Sequence, residues 1–244
     1  MILNRLLTEQ KEVLQKVLHS IEKKESLKLT YLNQNCFNIY CKNKDYKKLL
    51  DTKFEVYQAD LGIFLALKLL FKKNLTRIDA TEMNKLIMDG LIQNKIPLLI
   101  AGGNFKDEFV HKEAKRRGIN LVGYQDGYFD ESAIDDVINN LNNSNASVFI
   151  FGMGVPKQEF IAERLSQVSG GKLIICVGNF LEFYFGTKKR APVFLQKIGF
   201  EWLFRLFTEP ARLWKRYLLG IPLFLYHIIK LKIISGHQKQ LNSI

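Results

Sequence analysis

Between residues 97 and 179, four short apolar segments alternate with longer segments of helical character. The apolar segments are residues 97–101 (PLLIA), 120–124 (NLVGY), 147–151 (SVFIF) and 172–177 (KLIICV). Each is followed by a short joint that carries glycine. Strands that alternate with helices across short joints are typical of a doubly wound α/β fold. The sequence therefore predicts a mostly parallel sheet with helices on both faces.

Glycines at three of these joints point to a ligand. Gly102 follows the first apolar segment, Gly152 and Gly154 follow the third, and Gly178 follows the fourth. Open parallel sheets bind ligands at the carboxyl ends of their strands, where a glycine lets backbone N–H groups approach a phosphate. One such joint is ordinary turn chemistry. Three on one predicted edge indicate a phosphorylated ligand.

The chain before residue 97 is predicted to form helices at 5–25, 44–52, 60–71 and 81–93 and a first strand at 27–32. Asp60 opens an apolar helix, so it is either a helix cap or a functional acid, and the pattern alone favours the cap. Arg77 could pair with Asp79 or with a phosphate, and an arginine in a salt bridge or in solvent is the ordinary interpretation.

Residues 156–159 (PKQE) begin a helix directly after the turn that contains Gly152 and Gly154. Proline suits the first turn of a helix, because the N–H that it lacks has no partner there. Gln158 offers a donor and an acceptor where helix N–H groups point outward. This combination favours ligand contact over simple capping.

The C-terminal segment, residues 188–244, holds most of the charge. It has eleven Lys and Arg against two acids, and so carries nine of the chain's twelve net positive charges. Its most apolar part, 217–229 (YLLGIPLFLYHII), is thirteen residues long and contains Gly220 and Pro222, whereas a membrane-spanning helix needs about 20 residues. The pattern therefore favours a segment that lies on an anionic membrane over one that crosses it. A helix packed on the protein's own core is an equal alternative to the segment that lies on the membrane.

Several functional classes lack their motifs. The sequence has no complete dinucleotide fingerprint, which disfavours a nucleotide-binding oxidoreductase, and no GxxxxGK[ST], HExxH, CxxC or GxSxG. The three cysteines, Cys36, Cys41 and Cys176, lack metal-ligand spacing and are interpreted as reduced thiols of a cytosolic protein. No metal site and no cofactor are predicted.

Six strings, in order, resemble the WecG/TagA/CpsF family of bacterial glycosyltransferases over about residues 27–230. The PKQE string and the block that begins at RAP are highly specific to it. The strings are 57–62 (YQADLG), 76–83 (TRIDATEM), 122–129 (VGYQDGYF), 151–159 (FGMGVPKQE), 177–192 (VGNFLEFYFGTKKRAP) and 195–217 (LQKIGFEWLFRLFTEPARLWKRY).

The resemblance implies an inverting, metal-independent transfer of a sugar from a UDP-sugar to a polyprenyl-diphosphate-linked sugar. Similar proteins make teichoic acids, enterobacterial common antigen, capsules and exopolysaccharides, using N-acetylhexosamines or their uronic acids as donors. The resemblance further implies a Rossmann-like catalytic domain at residues 1–195 and a basic amphipathic appendage at 196–244. The appendage would hold the protein on the cytoplasmic face of the cell membrane as a peripheral protein, and self-association is expected by analogy.

Site residues follow from the resemblance one at a time. Asp60 matches the general base that would take the proton of the acceptor hydroxyl. Arg77 and Gln158 would hold the nucleotide-sugar, and the basic residues of the appendage would neutralise the departing diphosphate. The predicted substrate-binding residues are Asn33, Arg77, Gly102, Gly152, Gly154, Lys157, Gln158, Gly178, Arg190, Arg205, Arg212, Lys215 and Arg216.

The chain departs from the family pattern near the predicted sugar pocket. Tyr31 replaces a family threonine, Ala80 a glycine, Asn179 a glycine and Glu182 an aspartate, and the string at Asp60 has one inserted residue. These changes weaken inferences about which sugar is used more than the inference that a sugar is transferred.

Two alternatives remain at this stage. A nucleic-acid-binding protein is compatible with a pI near 9.5, although the apolar stretch at 217–229 disfavours it, because readers of phosphate need solvated Lys and Arg. A catalytically inactive nucleotide-binding scaffold is the other.

Overall fold

A computed structural model describes residues 1–71, 75–170 and 172–241 of the chain. Its centre is a six-stranded sheet in the order β2-β1-β6-β5-β3-β4, and every neighbouring pair is parallel. This confirms the predicted α/β fold. The strands are β1 (Leu27–Leu32), β2 (Glu55–Gln58), β3 (Leu98–Gly102), β4 (Leu121–Gln125), β5 (Val148–Gly152) and β6 (Leu173–Cys176).

Helices flank the sheet and alternate with its strands. They are α1 (Gln10–Lys23), α2 (Gln34–Lys42), α3 (Lys44–Lys53), α4 (Leu61–Phe71), α5 (Ala80–Gln93), α6 (Asp107–Arg117), α7 (Ile134–Asn142), α8 (Lys157–Val168), α9 (Phe180–Tyr184), α10 (Val193–Lys197), α11 (Glu201–Thr208), α12 (Pro210–Trp214) and α13 (Gly220–Leu241). Short 3₁₀ turns occupy Ile2–Asn4 and Glu131–Ala133, and a π-helical turn, Lys215–Leu219, joins α12 to α13.

The core follows the two central strands. All residues of β6 and the first four of β5 are buried, as expected for strands covered on both faces. β6 pairs with both β1 and β5, and β5 with both β6 and β3. The carboxyl ends of β1, β6, β5 and β3 therefore stand side by side at one edge of the sheet.

The N-terminal third differs from the sequence-based expectation in three places. The helix predicted from residue 5 begins only at Gln10, because Leu7 forms a parallel bridge to Tyr57. The Leu7 N–H donates to the Val56 carbonyl at 2.9 Å, and the Leu7 carbonyl accepts from the Gln58 N–H at 3.0 Å. The pattern also missed β2, four residues that pair with β1, and the short helix α2.

The C-terminal helix corrects the expected break at Gly220 and Pro222. Helical backbone runs without interruption from Pro210 to Leu241, and the π-helical turn Lys215–Leu219 lies directly before Gly220 and Pro222. Phe224 and Ile228 are buried, and Phe224 packs edge-on against Phe37 of α2 with ring centroids 5.8 Å apart. One face of α13 thus packs on the protein, as the alternative interpretation held.

The opposite face of this helix is apolar and exposed. Within the described parts of the chain, one helical segment, Pro210–Ile234, is long and apolar enough to cross a membrane by length and composition, and few of its most apolar residues are buried. This helical segment is longer than the thirteen-residue apolar stretch at 217–229. The exposed residues include Leu219, Leu223, Tyr226 and Ile229.

Candidate active site

The glycine-bearing joints meet at the edge formed by β6, β5 and β3. They surround a cavity of about 160 Å³, which the basic appendage closes from one side through Arg212. The residues lining this cavity are Gly103, Tyr128, Gly152, Met153, Gly154, Gly178, Asn179, Leu181, Glu182 and Arg212. The predicted convergence of the glycine joints is therefore present in the fold.

These glycines do not all serve the same purpose. A Cβ on Gly102 would lie 2.5 Å from the Gly152 carbonyl carbon, and a Cβ on Gly152 would lie 2.6 Å from a methyl group of Leu181. A Cβ on Gly178 would collide with the Tyr31 hydroxyl. Gly154 has φ +81° and faces open space. The first three are thus required by packing between loops, while Gly154 is required by its backbone conformation and borders the cavity.

Lys157 and Gln158 are committed to protein partners at the start of α8. The Lys157 ammonium donates to the carbonyls of Gly127 and Phe129 at 3.0 and 3.1 Å, and burial lowers its pKa. Gln158 is fully buried, and its Oε1 accepts from the Gly178 N–H at 3.0 Å. Both residues hold cavity loops in place, so they shape the cavity rather than project into it.

Glu159, next in the chain, is a site-supporting residue that the sequence analysis missed. Its Oε1 accepts from Gln158 Nε2 and from Thr30 Oγ1, each at 2.8 Å. Its Oε2 is buried without a hydrogen-bond partner among the described residues. Burial raises the pKa of Glu159 to about 7. The signal in the sequence was an acid directly before three apolar residues, at the end of the PKQE string.

Stability between about pH 4.5 and about pH 7 should depend on Glu159. Its pKa is raised from 4.5 to about 7, so over that interval the native state holds a proton that the unfolded chain has lost. The free energy of unfolding therefore falls as pH rises from about 4.5 to about 7, by up to about 3 kcal/mol, and then levels. Glu159→Gln should flatten this fall in urea unfolding measured across the range.

Glu163→Gln is the matched control for that measurement. Glu163 lies on the same helix but pairs with Lys28. Burial alone would raise its pKa, but the hydrogen bond and charge of Lys28, together with Gln167 and Lys53, outweigh burial and lower it. The ionised Glu163 stabilises the fold above its ordinary pKa, and this stabilisation is lost in acid. The Glu163→Gln variant should therefore keep the fall in the free energy of unfolding between about pH 5 and about pH 7. Equal slopes for wild type and Glu159→Gln would contradict the assignment.

Asp60 caps a helix, which is one of the two roles that the sequence allowed it. Its Oδ1 accepts from the Ile63 N–H at 2.7 Å, which caps α4, and its Oδ2 accepts from the Gln34 N–H at 2.9 Å, at the start of α2. It is only partly exposed, and burial raises its pKa, against the opposing effect of these two hydrogen bonds and of the positive charges of Arg216 and Arg77. A carboxylate with a raised pKa suits a general base.

Three predicted arginines have buried donors to spare, and the charges of two of them, Arg77 and Arg216, act on the Asp60 carboxylate. Buried nitrogens of Arg77 (Nε), Arg205 (Nε and Nη2) and Arg216 (Nε) have no hydrogen-bond partner within the described residues. Arg77 Nη1 donates to the Gln196 carbonyl at 3.3 Å, and the Arg205 guanidinium lies 5.4 Å from the centre of the Phe183 ring. Because unpaired buried donors are costly, their arrangement favours an anion as the missing partner.

Other predicted residues are already paired or exposed. Arg190 donates to Asp79 at 2.7 Å, so it is Arg190, not Arg77, that pairs with that acid. Arg212 pairs with Glu209 at 2.6 Å, and Lys215 is exposed with its ammonium 5.4 Å from the centre of the Trp214 ring. Asn33 caps α2 by accepting from the Cys36 N–H at 2.9 Å. These side chains therefore differ in how readily they can meet a substrate.

Tyr31 links the cavity to the Asp60 cluster. Tyr31 is the last residue but one of β1, its hydroxyl lies against Gly178, and the positive charge of Arg216 acts on it. The glycine cavity and the carboxylate–arginine cluster are therefore parts of one region at the carboxyl edge of the sheet. Across the described residues, no group of three or more His, Cys, Asp or Glu is placed to hold a metal ion.

A model of the glycosyl transferase WecG/TagA/CpsF family matches residues 3–238, nearly the whole chain. The protein belongs to this family. It is accordingly a glycosyltransferase of a family involved in cell-surface polysaccharide synthesis. The match includes the sheet edge with its glycine joints, Asp60 and the basic appendage, so all parts of the candidate site lie within the family's shared region.

Proposed function

We propose that this WecG/TagA/CpsF glycosyltransferase moves a hexose derivative from a UDP-sugar to a polyprenyl-diphosphate-linked sugar, with inversion and without a metal. The observation that carries the proposal is the Asp60 carboxylate with its raised pKa, beside Arg77 and Arg216 with their free buried donors. A base next to a cationic pocket is what the displacement of a sugar diphosphate requires.

In the proposed reaction, Asp60 takes the proton of the acceptor hydroxyl while that oxygen attacks the anomeric carbon. The bond from this carbon to the diphosphate oxygen breaks, and UDP leaves with the bonding electrons. One displacement inverts the anomeric configuration. The negative charge that grows on the diphosphate falls to Arg77, Arg205 and Arg216, whose guanidinium groups do here what a cation does in other transferases.

The donor would occupy the cavity between the glycine joints. Gly154, which has no side chain, lines this cavity, and Arg212 reaches it from the appendage while paired with Glu209. A diphosphate could take the place of that carboxylate. Lys157, Gln158 and Glu159 would act indirectly, by holding the loops of Gly127, Phe129 and Gly178.

We further propose residues 196–244 as the appendage to a catalytic domain at 1–195, acting on the cytoplasmic face of the membrane as a peripheral protein that self-associates. The exposed apolar face of α13 and the basic residues around it support contact with an anionic membrane surface. The family supports sugar donor and acceptor substrates, and no observation favours nucleic acid.

The test is an assay of the purified protein with EDTA present, a panel of UDP-sugars and a short-chain lipid-diphosphate-sugar acceptor. We expect UDP release from one donor that depends on acceptor, with a product of the corresponding mass and inverted anomeric configuration. Folded protein that binds labelled UDP yet releases none with any acceptor would support the inactive scaffold instead. Activity that appears only when a divalent metal is added would contradict the metal-free mechanism.

A further inference from the structure

Helix α4 carries an apolar stripe that water contacts. Leu61, Leu65 and Leu69 follow one another at four-residue spacing, and Leu65 and Leu69 are 53% and 44% exposed. The opposite face, with Ile63 and Leu67, is buried in the core. A helix that is apolar on every side is normally buried, so the exposed leucines indicate a surface that is covered in the working protein.

The start of the stripe lies against the appendage. A Cβ on Gly62 would lie 3.5 Å from the Phe224 ring of α13, and Gly199, between α10 and α11, lies against the Leu61 side chain. The first turn of α4 is thus enclosed by the two parts of the appendage that carry the most exposed apolar side chains. These side chains include Phe200, Phe207, Leu219, Leu223 and Ile229.

Charge around this surface favours a lipid occupant. Lys68 lies beside the stripe with its ammonium 4.7 Å from the centre of the Phe64 ring, and residues 188–244 carry nine net positive charges. Exposed leucine and aromatic side chains surrounded by Lys and Arg are the composition of a surface that enters the headgroup region of an anionic bilayer.

Asp60 lies next to the stripe. Asp60 directly precedes α4, and Leu65 and Leu69 lie about 8 and about 14 Å along the helix axis from it, at 1.5 Å per residue. The hydroxyl that the base activates belongs to a sugar joined to a prenyl chain through a diphosphate. That chain must therefore enter hydrocarbon close to the start of α4.

We propose that the Leu61–Leu65–Leu69 stripe is a second membrane-contacting element, which places the hydrocarbon of the bilayer beside Asp60 and guides the acceptor's prenyl chain to it. The proposal rests on the proposed function for the identity of the acceptor. Its membrane contact can be measured without any catalysis.

The experiment compares the full-length protein with the double variant Leu65→Gln/Leu69→Gln. The first readout is co-sedimentation with vesicles of phosphatidylcholine and phosphatidylglycerol, for which we expect about tenfold weaker binding or more, because two apolar side chains lose their burial in lipid. The second readout is transfer to a long-chain acceptor in those vesicles and to a short-chain acceptor in solution. We expect transfer to the long-chain acceptor to fall and transfer to the short-chain acceptor to stay at the wild-type rate.

Leu18→Gln/Leu86→Gln is the matched control, since both leucines are 41% exposed on other helices, α1 and α5. It should bind vesicles as the wild type does. Vesicle binding by the α4 variant that equals that of the wild type would overturn the proposal. If its molecular mass in solution also differs from that of the wild type, the stripe is a contact with a second copy of the chain. If wild-type protein transfers nothing to the short-chain acceptor, the proposed function fails while the vesicle result still stands.

Discussion

Replacing Asp60 by Asn is expected to lower kcat by about 10²- to 10⁴-fold, the usual contribution of a general base, while the affinity for UDP-sugar changes little. The amide oxygen can still accept from the Ile63 N–H and cap α4, but the group can no longer take a proton. Single-turnover transfer and equilibrium binding of the donor measure the two quantities separately. Wild-type turnover would remove Asp60 from the base role.

The pH profile sharpens this test. Because burial raises the pKa of Asp60 above its ordinary value, the acid limb of kcat/KM should lie at higher pH than for an exposed aspartate. Activity should fall as the pH drops through that pKa and the base becomes protonated. The limb should be absent from whatever rate Asp60→Asn retains.

Asp51→Asn provides the control for the loss of a carboxylate. Asp51 accepts from the Tyr40 hydroxyl at 3.0 Å, away from the sheet edge that carries the site. Its replacement should leave kcat and the pH profile unchanged. Thermal unfolding of both variants checks that a lower rate does not come from a damaged fold, since Asn in place of Asp60 meets the Gln34 N–H with one fewer acceptor.

Replacing Arg216 by Met is expected to lower kcat/KM by about 10²- to 10³-fold, which is the usual cost of losing one donor that stabilises developing negative charge. Arg216 is half-buried, and its Nε has no hydrogen-bond partner among the described residues. Methionine keeps most of the side-chain volume, so packing should survive. Steady-state kinetics with saturating acceptor measures the effect.

A second result should accompany that loss. The charge of Arg216 lowers the pKa of Asp60 against the effect of burial. Without it the pKa should rise further, and the acid limb of the profile should move to higher pH. An unchanged limb would show that Arg216 does not face Asp60.

Lys215→Met removes the same charge from the neighbouring residue. Lys215 is exposed, with its ammonium over the Trp214 ring, and is expected to lose far less activity, with an effect that weakens as salt is added. Comparable losses in the two variants would mean that the appendage contributes only general positive charge. The sequence predicted both residues as substrate-binding, and their different burial is what separates them.

Much of the site could be predicted because its chemistry is tied to strand ends. The joints at Gly102, Gly152 and Gly178 were expected to share an edge, and the strand order places β3, β5 and β6 next to one another. What each glycine does could not be predicted. Whether a Cβ meets another loop or open space depends on contacts between segments about 30 to about 150 residues apart in the chain.

The partners of Lys157, Gln158 and Glu159 were likewise beyond the sequence. All three follow one turn, yet Lys157 holds the loop after β4, Gln158 the loop after β6, and Glu159 the side chain of Thr30 on β1. A helix start directs its successive residues to different neighbours. Only the order of the strands decides which neighbours those are.

The sequence by itself determined the class of fold, the family and the basic, apolar character of the appendage, because periodicity, glycine joints and composition are local properties of the chain. Tertiary structure decided the rest. It gave β2 its strand through pairing with β1, carried the helix through Pro222, and set Asp60 between two arginines, one of them from a segment more than 150 residues later. Burial and charge at a site are sums over distant segments, so they exist only once the chain has folded.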